Sequence, residues 1–255
     1  MVSAARLEGL TVDIDLRRGR NSGTVRVLDD VHLDVPAGRV TALVGESGCG
    51  KSLVAAALSN LIPPGAHVHG RVLIDDAELR SDDERGWRGL RGRHIGVVPQ
   101  SAATSFTPVR TVGSQLAEVC ARLGADRNPA ELCASVALPP DVTARYPHEL
   151  SGGMAQRVAI AAAMAGRPGL LLADEPTSSL DPDNAALVWD LLGAAADDGA
   201  GVLVITHDLP SLWRAQRCDR IAVMRRGTIL LQAPLSEAMD SGDDYVQALL
   251  GGVRA

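Results

Sequence analysis

The sequence predicts an α/β fold built on a mostly parallel β-sheet. Two observations carry that expectation. Short apolar runs bounded by turn residues alternate with Ala- and Leu-rich stretches at helical spacing, the pattern of buried strands joined by crossover helices. One such run, residues 40–44, ends in a Gly-rich loop that opens a helix, which is the entry geometry of a phosphate site. Of 255 residues, 46% are hydrophobic and 22% charged, a globular balance in a chain long enough for a large core.

The first forty residues differ from the rest. Residues 7–16 and 27–35 alternate apolar and polar side chains, with a polar turn expected at 17–24 and another at 36–38. They predict antiparallel strands attached to the edge of the core. After the 40–44 strand and a helix over 52–61, the runs 72–74, 95–98, 170–173, 202–205 and 221–224 read as buried strands. The stretches 152–165 and 184–196 read as helices between them, and 101–149, which carries no strong strand, as a helical insertion. Arg225, Arg226 and Gly227 lie between apolar runs and predict a hairpin. His67 and His69 read as part of a loop rather than a metal site.

Several classes are excluded. No apolar run approaches the roughly 18–20 residues of a membrane-spanning helix, and the N-terminus lacks a hydrophobic signal region, so a cytoplasmic chain is expected. A net charge of −6 argues against broad nucleic-acid binding. The four cysteines, Cys49, Cys120, Cys133 and Cys218, form no C-x-x-C pair and read as reduced, buried thiols. Of the 25 basic residues, 24 are arginine and one, Lys51, is lysine. A composition that replaced every other lysine points to a site at Lys51 that needs a compact ammonium.

Lys51 lies in the strongest motif. Gly45, Glu46, Ser47, Gly48, Cys49, Gly50, Lys51 and Ser52 fit G-x-x-x-x-G-K-[ST] between a strand and a helix. The glycines let backbone N–H groups turn inward as an anion nest, and the helix start adds its positive dipole end. Lys51 can reach the β- and γ-phosphates of a nucleotide, and the Ser52 hydroxyl can ligate Mg2+. A chance match is on the order of one in a thousand. The run 170–173 ends in Asp174 and Glu175. Asp174 is suited to hold Mg2+ and Glu175 to polarise an attacking water. His207 closes the 202–205 strand at the same expected edge, where ligands of a parallel sheet gather. Ser151, Gly152 and Gly153 open a further helix, a second anion-binding end.

Residues 150–156 read L-S-G-G-M-A-Q, about twenty residues before the acidic strand end. This resembles the signature motif of ATP-binding cassette (ABC) ATPases. The order of phosphate loop, Gln100, signature, Asp174–Glu175, Asp181 and His207 is similar to that family over nearly the whole chain. The resemblance implies an ABC-type nucleotide-binding domain with a P-loop, RecA-like core, an N-terminal antiparallel β subdomain and an α-helical subdomain. Core and β subdomain would comprise about 1–100 and 151–235, the helical subdomain about 101–150, and a C-terminal tail 236–255. It implies ATP and Mg2+ as ligands, with Ser52, Gln100 and Asp174 around the metal and Glu175, His207 and Gln100 catalytic. Ser151, Gly152, Gly153 and Gln156 would cap the ATP of a partner in a head-to-tail dimer, and Asp181 would lie in the dimer contact. The family stacks adenine on an aromatic where this chain has Ile14. Its six aromatics lie far from Ile14 in sequence.

Within the family, 45–52, 105–109, 146–154, 173–177 and 243–250 look most like the peptide/nickel importer subfamily. The chain's end at Ala255 leans towards nickel or metallophore import. The resemblance implies a second, different ABC ATPase subunit, two membrane permeases, an extracytoplasmic substrate-binding protein, no nucleic acid, and a peripheral place on the cytoplasmic face of the membrane. The alternative is a soluble relative, such as the ATPase component of a phosphonate carbon–phosphorus lyase assembly.

Overall fold

The computed structural model describes residues 2–18 and 21–251. Strands β1 (Ser3–Arg18) and β2 (Asn21–Pro36) form a long antiparallel pair, and β3 (Arg39–Gly45) runs into the phosphate loop and helix α1 (Lys51–Leu58). Next come β4 (Ala66–Ile74), β5 (Ala77–Leu79), α2 (Glu84–Leu90) and β6 (Ile95–Val98). The segment 101–149 holds α3 (Ala102–Ser105), α4 (Val112–Leu123), α5 (Pro129–Ser135) and two short 3-10 turns, with no strand. Then follow α6 (Gly152–Ala163), β7 (Leu170–Asp174), α7 (Pro182–Asp197), β8 (Gly201–Ile205), α8 (Leu209–Ala215), β9 (Arg220–Arg225), β10 (Thr228–Pro234), α9 (Leu235–Ala238) and α10 (Asp244–Gly251). No helix among the described residues is long and apolar enough to cross a membrane.

The strands make two sheets. One is antiparallel, in the order β2-β1-β4-β5, and the other has the order β10-β9-β3-β8-β7-β6. In the second, β3 pairs in parallel with β8 and β9, β8 with β7, and β7 with β6, while β10 turns back antiparallel at one edge. Side chains alternate across its faces. Leu43, Leu172, Leu203, Ile205 and Met224 join Leu10, Leu28 and Leu58 in a core beneath the antiparallel sheet and α1. Val40, Ala42, Val44, Ala173, Val204 and Val223 join Leu116, Ile160, Trp189 and Val246 in a core beneath the helices. The central strands are therefore mostly apolar, as burial on both faces demands, with the polar Thr41 of β3 buried among them.

Several expectations change. The antiparallel strands do not extend the core's edge; they form their own sheet stacked on its face. The run 72–74 belongs to β4 of that sheet and not to the parallel core. His67 and His69 lie in β4 rather than in a loop, where His67 Nε2 is 3.2 Å from an Asp15 carboxylate oxygen. The turn expected at 17–24 is narrower, since β1 reaches Arg18 and β2 starts at Asn21; its centre, 19–20, lies outside the described residues. Helix α1 stops at Leu58, three residues early. The Ser59 hydroxyl donates to the Ala55 carbonyl at 2.9 Å, Asn60 turns left-handed at φ 50°, and Pro63 and Pro64 follow, a combination that ends a helix.

Candidate active site

The phosphate loop is shaped by what stands behind it. Gly45 has φ 156°, and a Cβ there would lie 2.1 Å from the Met224 carbonyl oxygen of β9. Gly50 caps α1 at φ 109° with no side-chain hydrogen bond to the helix, so the first N–H groups of α1 stay free for an anion. Lys51 is buried and donates to two loop carbonyls, those of Gly45 and Glu46, both at 2.9 Å. Its Nζ also lies 3.9 Å from Cys49 Sγ. Three donors on a compact cation suit this ring of acceptors; a flat, forked guanidinium does not.

Strands β7 and β8 bring the acids and the histidine to the same edge. Asp174 pairs in register with Ile205, and the Glu175 N–H donates to the Ile205 carbonyl at 2.8 Å. Burial pushes the Asp174 carboxyl above its ordinary range; the Ser52 hydroxyl pulls it down, Glu175 pushes it up and Lys51 pulls it down. One Asp174 oxygen is buried without a hydrogen-bond partner. An unpartnered carboxylate oxygen beside a serine hydroxyl is a hard, oxygen-only donor set of the kind Mg2+ takes.

Glu175 is buried, in a left-handed backbone conformation with φ 49°. Such a conformation costs a non-glycine residue of order 1–3 kcal/mol and is retained where surrounding contacts fix it. Here the contact is His207. Its Nδ1 lies 2.6 Å from Glu175 Oε1, and its backbone N–H donates to Oε2 at 3.4 Å. A carboxylate accepts only, so Nδ1 carries the proton. Sequence spacing placed these two residues at one edge; the structure joins them directly. The imidazole is 66% exposed, so it can swing from the carboxylate towards a ligand.

One cleft of about 300 Å3 collects Ser47, Gly48, Gly50, Lys51, Ser52, Gln100, Glu175 and His207, together with Leu53. Gln100 follows β6 and is exposed at its rim. Ser151, Gly152, Gly153, Gln156 and Asp181 do not line this cleft. Ser151 caps α6, its hydroxyl accepting from Met154 N at 3.3 Å, and Ser151 and Gly152 are exposed. Gly153 and Gln156 are buried. Asp181 caps α7 through Asn184 N at 3.0 Å and also accepts from Asn184 Nδ2 at 2.7 Å. Ile14, half-buried, pairs across the strands with Val25 and packs on the core beneath the antiparallel sheet.

Sequence reasoning missed Tyr245. Its hydroxyl lies 3.4 Å from Glu46 N in the phosphate loop, so an aromatic does reach this site, at the loop's back rather than beside Ile14. No local pattern could have revealed a contact between residues 199 positions apart. Asn184, whose side chain lies against Gly153 as well as bonding Asp181, was also missed.

Comparison with known proteins then places the chain. The family model described as ABC transporter matches residues 28–178, from β2 through the acidic strand end. The chain belongs to the ABC transporter family. Among its ABC relatives, the oligopeptide transport ATP-binding protein OppD of Mycobacterium tuberculosis is 42% identical over 230 residues, covering 86% of this chain. The nickel import ATP-binding protein NikD of Rhodospirillum rubrum is 36% identical over 91% of it. The chain spans 37% of the length of that OppD and 87% of that NikD. A solved ATP-binding cassette, MJ0796, described as a dimer in a post-hydrolysis state bound to ADP and Pi, matches with a TM-score of 0.75 at 28% identity. That match covers 91% of this chain and 98% of the other. The mixed sheet flanked by an antiparallel sheet and helices is thus the ABC nucleotide-binding fold.

Proposed function

We propose that this chain is the ATP-binding and hydrolysing subunit of an importer for peptides, nickel or nickel complexes. The observation that carries the reading is the convergence of Lys51, Ser52, Gln100, Glu175 and His207 on one cleft, with Asp174 beside Ser52. The loop N–H groups and Lys51 bind the phosphates. Ser52, Gln100 and Asp174 would hold Mg2+, which supplies charge neutralisation to the phosphates when bound. Glu175 takes a proton from the attacking water once His207 turns from it to the γ-phosphate.

The signature end of α6, with Ser151 and Gly152 exposed, and Asp181 face a second, similar ATPase subunit in a head-to-tail dimer. The segment 101–149 borders a groove of about 610 Å3 whose apolar wall includes Leu61, Val97, Phe106 and Val119. A helix of a membrane permease docks there and places the chain on the cytoplasmic face of the membrane, with a binding protein delivering cargo from outside. The transport names of the relatives favour this over the carbon–phosphorus lyase alternative.

Glu175→Gln tests the mechanism. It keeps the His207 hydrogen bond but removes the base, so hydrolysis should fall about a hundredfold or more and Mg-ATP should trap a stable dimer with the partner ATPase. Phosphate release and sedimentation measure both. Undiminished hydrolysis would remove Glu175 from the role of base.

A further inference from the structure

The family match ends at residue 178, and no residue of α10 lines the cleft. Yet α10 reaches the phosphate loop. The carbonyl of Gly45, which accepts from Lys51 Nζ at 2.9 Å, and the N–H of Glu46 belong to one peptide unit. That N–H donates to the Tyr245 hydroxyl at 3.4 Å. Lys51 and Tyr245 therefore grip the same peptide from its two ends. An acceptor on the N–H polarises the amide and strengthens its carbonyl as an acceptor for the ammonium.

Tyr245 is itself well fixed. The Arg225 guanidinium lies 4.5 Å from the centre of its ring, a cation–π contact. Asp243 caps α10, its Oδ1 accepting from Tyr245 N at 2.9 Å and Val246 N at 3.0 Å. Val246 and Leu250 anchor the helix in the core beneath the helices. Burial pushes the Tyr245 hydroxyl above its ordinary range, and the neutral phenol offers an oxygen lone pair to the loop N–H.

We propose that Tyr245 is a positioning residue for Lys51, its hydroxyl orienting the Gly45–Glu46 peptide that holds the ammonium in place for nucleotide phosphates. The inference rests on the nucleotide-site reading and deepens it: α10 becomes part of the site's machinery.

The only lysine makes its own probe. An amine-reactive ester labels Lys51 and the N-terminal amine of the full chain, and peptide masses separate the two. Tyr245→Phe keeps the ring beneath Arg225 and removes only the hydroxyl. Without nucleotide it should label Lys51 about three- to tenfold faster than wild type, the effect of losing one hydrogen bond. KM for Mg-ATP should rise by a similar factor with kcat little changed. Gln247→Ala, on the same helix, breaks the Gln247 Nε2 bonds to the Met239 and Ser241 carbonyls at 2.9 and 2.7 Å. It should leave labelling at the wild-type rate.

Wild-type labelling in Tyr245→Phe, or equal acceleration in both variants, overturns the proposal, because the helix then acts only through stability. If Mg-ATP fails to slow Lys51 labelling in the wild type, the nucleotide reading falls instead. The comparison without nucleotide distinguishes the two failures.

Discussion

At the scale of single residues, the site trades stability for function. Asp174 is held above the ordinary carboxylate value of 3.8 chiefly by burial. In the window between that value and the raised one, the folded chain binds more protons than the unfolded chain. Stability therefore falls as pH rises through the window, and the loss persists at neutral pH. Asp174→Asn removes the buried charge at nearly constant shape. It should raise the melting temperature of the nucleotide-free protein at pH 7 by about 2 °C, with the gain shrinking below about pH 4, while hydrolysis is lost. Thermal scans at the two pH values check the sign; a lower melting temperature at pH 7 would contradict it. The Glu175–His207 pair shows the same economy. A strained backbone and a direct hydrogen bond hold the carboxylate in place, and the exposed imidazole is the partner with room to move.

At the scale of elements, α6 and α7 meet through a glycine. A Cβ on Gly153 would lie 2.6 Å from Asn184 Cγ. Asn184 also binds Asp181 through both its backbone and its side-chain amide. The exposed start of α6 and the Asp181 loop are thus braced against each other. Gly153→Ala would gain about 0.5–1 kcal/mol of helix propensity in isolation, but it forces the Asn184 side chain away and breaks its bond to Asp181. The net expectation is a loss of about 1–2 kcal/mol, read from denaturant midpoints. Asn184→Ala in the same chain relieves the clash but not the lost bond to Asp181, so it should restore only part of it. A Gly153→Ala protein as stable as wild type would show that the two helices are not braced here.

At the scale of the whole molecule, one sheet serves two cores. Adjacent residues of β3, Ala42 and Leu43, belong to opposite ones, so neither can open without exposing the other's strands. A single calorimetric transition, with equal van't Hoff and calorimetric enthalpies, is the expected result; a separate early transition of the antiparallel sheet would show the cores to be independent. The sequence alone determined the parallel core strands, the phosphate loop and the strand ends bearing Asp174, Glu175 and His207, because those features are written in local periodicity and short motifs. Glycine spacing, strand-to-helix order and one lysine among 24 arginines are all readable within a few residues. Tertiary structure alone decided the rest. It stacked the antiparallel sheet on the core's face, since 72–74 has the composition of a core strand and only its partner in β1 tells it apart. It closed the Glu175–His207 bond, braced Gly153 with Asn184, and carried Tyr245 to the loop. Each is a contact between residues distant in sequence, and apolar burial places such pairs without leaving a local pattern that names the partner.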